Sequence, residues 1–241
     1  MTASLRVAVF GASGGIGGAL VDAFTQDESV HRIYAGARRV QAKHDAKTVP
    51  FSFDLLEESS IAAAAARIGA DGPLDLAIVA TGFLHHGALQ PEKTWRDFNG
   101  DGFATAFAIN ATGPALIAKH VLPLLTRERR AVFAAISARV GSIEDNRLGG
   151  WAAYRASKAA LNQIIRTCAV ELARKNKSAC CVALHPGTVD TALSAPFQRG
   201  VSPERLFSAA ESAAHLLRVI ATLTPEQSGG FFAWDGTRIP F

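Results

Sequence analysis

Short apolar runs alternate with longer mixed stretches from one end of the chain to the other. Residues 5–10, 32–35, 48–53, 74–80, 131–137, 179–184 and 231–233 are rich in apolar and β-branched side chains and predict strands. Residues 15–26, 59–68, 95–125, 151–174 and 209–222 predict helices, the third broken or bent at Gly113-Pro114. The strands are close to continuous apolar runs, which is the pattern of a sheet covered on both faces. Strands alternating with helices imply right-handed βαβ units and a doubly wound parallel α/β sheet in three layers. No linker, long charge run or internal repeat divides the 241 residues, so a single domain over 1–241 is expected. Residues 186–207 begin with a long irregular stretch. Loops of that length in a compact domain usually serve a function, and a substrate loop or lid is expected here, with a plain surface excursion as the alternative.

Gly11-Ala12-Ser13-Gly14-Gly15-Ile16-Gly17 follows the first strand and opens the first helix. Glycines let the backbone turn sharply and approach a pyrophosphate with no Cβ in the way. The helix N-terminus adds unpaired N–H groups and the positive end of a dipole. The alternative is an ordinary glycine-rich turn, and the strand–turn–helix context favours the phosphate reading and a Rossmann-type sheet. About 20 residues further on, a site selective for NAD places an acid on the ribose hydroxyls. Here the chain reads Ala35-Gly36-Ala37-Arg38-Arg39, with two guanidiniums and no acid. A carboxylate repels a 2′-phosphate, whereas Arg binds one through paired charged hydrogen bonds. The expectation is NADP(H) in preference to NAD(H), with Ser13 assisting; a solvated Arg pair is the alternative.

Tyr154 and Lys158 stand four apart in Tyr154-Arg155-Ala156-Ser157-Lys158, so on a helix they share a face. A free tyrosine titrates near pH ~10. A neighbouring ammonium favours the phenolate and is expected to bring Tyr154 toward general acid–base work near neutrality. Such a pair is common by chance on a long helix. Together with the glycine turn it implies a nicotinamide-dependent oxidoreductase acting on a small carbonyl compound or the corresponding alcohol.

These residues carry a resemblance. The chain resembles the short-chain dehydrogenase/reductases over nearly its whole length, and within them the C-factor-like branch, named for a bacterial intercellular signalling protein. Gly11, Ser13, Gly14, Gly15, Ile16 and Gly17 match that family's cofactor turn. Asp54-Leu55 matches its adenine-side contact, and Ile109-Asn110 the helix asparagine that supports a proton relay. Tyr154 and Lys158 match its acid–base and its activator and ribose ligand. Pro186-Gly187-Thr188-Val189-Asp190-Thr191 matches the segment beside the nicotinamide carboxamide, with Val189 and Thr191 as contacts. Residues 138–143, Asp145-Asn146, Gly149-Gly150 and Trp234-Asp235-Gly236 resemble the C-factor-like branch. Ala80-Thr81-Gly82 lines the same cofactor segment where the family commonly has Asn-Ala-Gly. Ala138 stands where the family has its catalytic serine. Three readings follow: Ser137 or Ser142 reaches the carbonyl oxygen; a water, Asn110 or a backbone group substitutes; or the fold serves a nucleotide-binding sensor or signalling protein with little turnover. Ser137 is carried as the candidate, although strand alternation turns its side chain to the opposite face.

Composition narrows the partners. Hydrophobic residues make up 49%, enough for a sizeable core and too many for a disordered chain. Net charge is +4, without a dense basic block interleaved with aromatics, so nucleic acid is not expected as a partner. Cys168, Cys180 and Cys181 form no C-x-x-C and read as small core hydrophobes in a reducing compartment. Met1-Thr2-Ala3-Ser4 lacks the regions of a signal peptide, and no apolar run reaches the ~20 residues of a membrane span. The expectation is a cytoplasmic protein with no membrane partner and no metal. His85-His86 could line a substrate pocket or be ordinary surface histidines, and Trp151, Phe197 and Arg139 could border the same pocket. In relatives the helices corresponding to 105–125 and 156–172 pair subunits, which implies a homo-oligomer, dimer or tetramer.

Overall fold

The computed structural model of the chain describes residues 4–40, 45–87, 89–200 and 202–241. Met1 to Ala3 of the leader reading and Val201 of the expected lid lie outside the described residues. Seven strands form one all-parallel sheet: β1 (Leu5–Phe10), β2 (Val30–Ala37), β3 (Thr48–Ser52), β4 (Leu76–Val79), β5 (Ala131–Ile136), β6 (Ala179–His185) and β9 (Phe231–Ala233). Their order is β3-β2-β1-β4-β5-β6-β9. The order reverses between β1 and β4. In open α/β sheets a ligand crevice forms outside the carboxyl ends of the strands at such a reversal. A separate two-stranded ribbon, β7 (Thr188–Val189) with β8 (Leu206–Phe207), closes the base of the 186–207 segment.

Alternation within each buried strand feeds two cores. Val7 and Val9 join Leu20, Val21 and Phe24 of α1 (Gly15–Gln26) and Leu216, Val219 and Ile220 of α6 (Ala209–Thr222). Ala8 and Phe10 join Ile61 and Ile68 of α2 (Glu58–Ala70), Ile117 and Val121 of α4 (Gly113–Val121), and Leu161 and Ile165 of α5 (Ala152–Lys175). A sheet buried on both faces has no polar side to display, which is why its strands read as unbroken apolar runs. The expected architecture is therefore observed.

The long helix expected over 95–125 is resolved into pieces. Trp95–Asp97 is a single tight turn, α3 spans Gly100–Phe107, and Ala108–Thr112 is a wide π-type turn leading into α4. Two causes coincide at the π turn. Pro114 has no N–H to give the Asn110 carbonyl, and a Cβ on Gly113 would sit 2.6 Å from Leu55 Cδ2. The Gly113 N–H instead reaches back five residues to the Ala108 carbonyl. Wide turns of this kind recur at functional sites.

Candidate active site

The glycine turn bridges β1 and α1 at the carboxyl edge of the sheet. Gly11 has φ +99°, the left-handed region that side chains avoid, and a Cβ there would lie 2.9 Å from the Ala80 backbone. A Cβ on Gly17 would meet the Gly11 carbonyl oxygen at 2.1 Å. Only glycine permits either approach. Ser13, Gly14 and Gly15 are exposed, and Ile16 is half-buried. The first turn of α1 carries no side-chain cap and no acid, so its N–H groups and dipole face outward uncompensated. Thr81 Oγ1, beside Gly11, is buried without a hydrogen-bond partner. An anion-binding helix end and an orphaned hydroxyl beside it fit a bound dinucleotide. Arg38 and Arg39 are exposed immediately past the end of β2. Asp54 Oδ1 accepts from the Leu56 N–H, and Leu55 packs under Gly113.

Asn110 is fully buried in the π turn and ties two elements together. Its Oδ1 accepts from Phe83 N at 2.8 Å, and its Nδ2 donates to Phe83 O at 2.8 Å and to Ser157 Oγ at 3.0 Å. Ser157 Oγ in turn donates to the Tyr154 carbonyl at 2.8 Å. The segment following β4 and the first turns of α5 are thereby locked to one another.

Tyr154 and Lys158 lie on these first turns, with Lys158 Nζ 5.9 Å from the Tyr154 ring centre. Lys158 is buried and donates to the Ile136 carbonyl at 2.8 Å. A Cβ on Gly82 would lie 3.9 Å from Lys158 Nζ and 3.8 Å from Asn110 Oδ1. Gly82 follows the Ala80-Thr81 segment against which Gly11 packs. The glycine turn and the Tyr–Lys pair therefore open on one crevice, although about 140 residues separate them. The expected shift of the tyrosine is reversed. Burial pushes the Tyr154 phenol up to about 12 and pulls Lys158 down to about 7. Desolvation disfavours the charged form of each group, and at this separation it outweighs their mutual support.

Both serines are engaged elsewhere. Ser137, just past β5, turns into the interior and donates to Asn162 Oδ1 of α5 at 2.7 Å. The Ser142 hydroxyl is buried and accepts from the Asp145 N–H at 3.1 Å. The proton of the candidate Ser137 is thus used on Asn162. Half-buried Ala138 occupies the intervening position.

The 186–207 segment starts at Pro186-Gly187, with φ +82° at Gly187, and folds over the crevice. Val189 is buried, and Thr191 Cγ2 lies 2.7 Å from where a Cβ on Gly15 would stand. His85 Nε2 lies 3.2 Å from the Leu193 carbonyl. Phe197 contacts His85 and Trp151 edge-on at 5.4 and 5.0 Å, and Trp151 contacts Tyr154 at 6.3 Å. His85, Trp151 and Phe197 thus form one aromatic wall. His86 is exposed, and Arg139 pairs with Asp145. No group of three or more metal-ligating side chains occurs among the described residues. No described helix is long and apolar enough to cross a membrane.

A glycine turn built for phosphate and a phenol paired with a buried lysine, opening on one crevice of a parallel sheet, define a dinucleotide-fold oxidoreductase. The chain belongs to the short chain dehydrogenase family, whose model matches residues 6–201. It is 38% identical to C-signal of Myxococcus xanthus over 57% of this chain and 78% of that protein. It is 33% identical to 1-hydroxy-2-glutathionyl-2-methyl-3-butene dehydrogenase of Rhodococcus sp., over 79% of each chain. The fold superposes on the NADPH-bound carbonyl reductase from chicken fatty liver with a TM-score of 0.86, covering 99% of this chain and 95% of that one at 24% identity.

Two residues bonded into the site have no signal in the sequence that marks them: Asn162, which accepts from Ser137, and the buried Glu92, whose carboxylate accepts from the Ala153 N–H. Ser157, which accepts from Asn110 and donates to the Tyr154 carbonyl, could have been found, because it lies between Tyr154 and Lys158, three residues after the former.

Proposed function

We propose that the chain is an NADP(H)-dependent reductase of small carbonyl compounds, running in reverse on the alcohols. The observation that carries this is the shared crevice: Gly11 against Ala80 and Thr81, then Gly82 against Lys158 and Asn110. The first turn of α1, with Gly11, Ser13, Gly14, Gly15, Ile16 and Gly17, holds the pyrophosphate. Arg38 and Arg39 hold the 2′-phosphate, Asp54 and Leu55 flank the adenine, and Ala80, Thr81 and Gly82 line the ribose side. Pro186, Gly187, Val189 and Thr191 flank the nicotinamide. When bound, the coenzyme supplies the hydride that reaches the carbonyl carbon. Tyr154 Oη donates a proton to the carbonyl oxygen, and burial keeps that phenol protonated throughout the neutral range. Lys158 holds the ribose, and Asn110 keeps Phe83 and Ser157 in register beneath the pair.

No serine serves the carbonyl oxygen in this reading: the Ser137 proton goes to Asn162, and the buried Ser142 oxygen accepts from the Asp145 N–H in the loop beyond β5. Both amide donors of Asn110 are used, on Phe83 and Ser157. A water beside Ala138 takes the donor's place. A second reading, a nucleotide-binding sensor or signalling protein with little turnover, is favoured by Ala138 and by the similarity to C-signal. Purified protein mixed with NADPH and a panel of aldehydes, ketones and quinones separates the two. Coenzyme oxidation on any of them supports the reductase, whereas tight NADPH binding with no turnover across the panel supports the sensor.

A further inference from the structure

Glu92 is a buried acid in the loop that follows β4, and the reaction outlined above does not use it. Its carboxylate Oε2 accepts from the Ala153 N–H at 3.2 Å, and its backbone carbonyl accepts from the Trp151 N–H at 2.6 Å. One residue thus serves two of the backbone donors that a helix start leaves without partners inside the helix. The carboxylate also meets the positive end of the α5 dipole. Glu92 and Tyr154 line the same small cavity of about 20 Å³, together with Phe83, Ala106 and Ala153.

The segment that Glu92 grips is unusual. Gly149 and Gly150 have φ +66° and +65°, and Trp151 follows at φ 53°. A bulky residue in the left-handed region costs about 1–3 kcal/mol and persists only where its surroundings over-determine it. Here Arg155 donates to the Gly150 carbonyl at 2.9 Å and the Gly149 carbonyl at 3.1 Å from one side, while Glu92 holds Trp151 and Ala153 from the other. Ala153 is the residue directly before Tyr154. The direction in which the phenol leaves the helix is set by this strained lead-in.

We infer that Glu92 is a positioning residue: its side chain holds the first turn of α5 so that Tyr154 keeps one orientation beside Lys158. This rests on the proposed role of Tyr154 for its effect on turnover, but not for its effect on the phenol itself. A carboxamide can accept the Ala153 hydrogen bond in place of the carboxylate, and a methyl group cannot.

The test compares Glu92→Ala with Glu92→Gln in protein carrying ¹³C-labelled tyrosine. The chain has two tyrosines, so only Tyr34 and Tyr154 titrate, and Tyr34→Phe assigns them. In Glu92→Ala the Tyr154 titration falls from about 12 toward the ordinary value of 10.0 as water reaches the loosened phenol. Glu92→Gln leaves it in place. Where a carbonyl substrate is turned over, kcat falls about 10- to 100-fold in Glu92→Ala with the NADPH dissociation constant unchanged, and Glu92→Gln recovers it. An unchanged Tyr154 titration in Glu92→Ala overturns the inference, as does a Glu92→Gln titration displaced as far as that of Glu92→Ala. If no substrate is found, the titration still decides about Glu92, and that outcome counts against the reductase reading alone.

Discussion

At the scale of single residues, the site is a balance between charge and burial. Lys158 is buried, donating to the Ile136 carbonyl, and burial brings its titration down from 10.5 to about 7. Between these values the unfolded chain keeps the lysine proton and the folded chain releases it, so stability rises with pH across that window. At about 1.4 kcal/mol per pKa unit, the charged form costs the fold about 5 kcal/mol below pH 7. Tyr154 contributes in the opposite sense, because its raised value makes stability fall only between 10 and about 12. Urea unfolding from about pH 7 to 9 should therefore show wild type gaining roughly 2–3 kcal/mol relative to Lys158→Met. Parallel curves for the two proteins would contradict the assignment. Ala138 belongs to the same scale. Ala138→Ser replaces the water proposed beside it with a fixed hydroxyl donor and should raise kcat, by no more than the ~10²–10³ that one such hydrogen bond is worth. Ser137→Ala should leave kcat within a few-fold, and a loss as large as that expected of a catalytic serine would restore Ser137 to the reaction.

At the scale of elements, what was legible in the sequence follows from how local each cause is. The strands and α1, α5 and α6 appeared where apolar runs and helix formers placed them, to within a few residues at their ends. Burial on both faces leaves a pattern that needs no knowledge of the partner element. The broken helix over 95–125 was legible only as a bend at Gly113-Pro114, because the π turn depends on Leu55 and Phe83 from distant segments. The ribbon of β7 and β8 was not legible, since two-residue strands carry no period. Among site residues, the glycine turn, Tyr154 and Lys158 are marked by spacing, and Asn110 only by the family resemblance. Glu92 and Asn162 act through backbone or buried partners across the fold and leave no local trace. The direction of the Tyr154 shift was misread for the same reason, since burial is a property of the folded whole. Aromatic contacts of Phe197 with His85 and Trp151 help hold the 186–207 segment alongside its short ribbon. Phe197→Ala removes two edge-on contacts worth about 0.5–1.5 kcal/mol each. Trypsin should then cut after the exposed Arg199 about tenfold faster, through more frequent local opening. An unchanged cleavage rate would show that Phe197 does not hold the segment down.

At the scale of the whole molecule, one parallel sheet brings together groups that are far apart in the chain. The reversal between β1 and β4 opens a crevice, the glycine turn lies on one side of it, and the π turn and α5 supply the other. Arg38 and Arg39 are exposed just past β2, and in the proposed function they hold the 2′-phosphate. Replacing both with Ala should weaken NADPH binding by about 10- to 100-fold and leave NADH binding nearly unchanged, as measured by calorimetry. Equal losses for both coenzymes would remove the basis for the preference. The central claim is that the glycine turn and the Tyr154–Lys158 pair act as one site. Its most direct measurement is NADPH affinity and carbonyl turnover in Tyr154→Phe beside wild type. The account predicts coenzyme binding within a few-fold of wild type and turnover lower by about 10²–10⁴, the usual worth of a positioned acid–base. Turnover that survives without the phenol hydroxyl, or a wild-type chain that binds neither nicotinamide coenzyme, would contradict it.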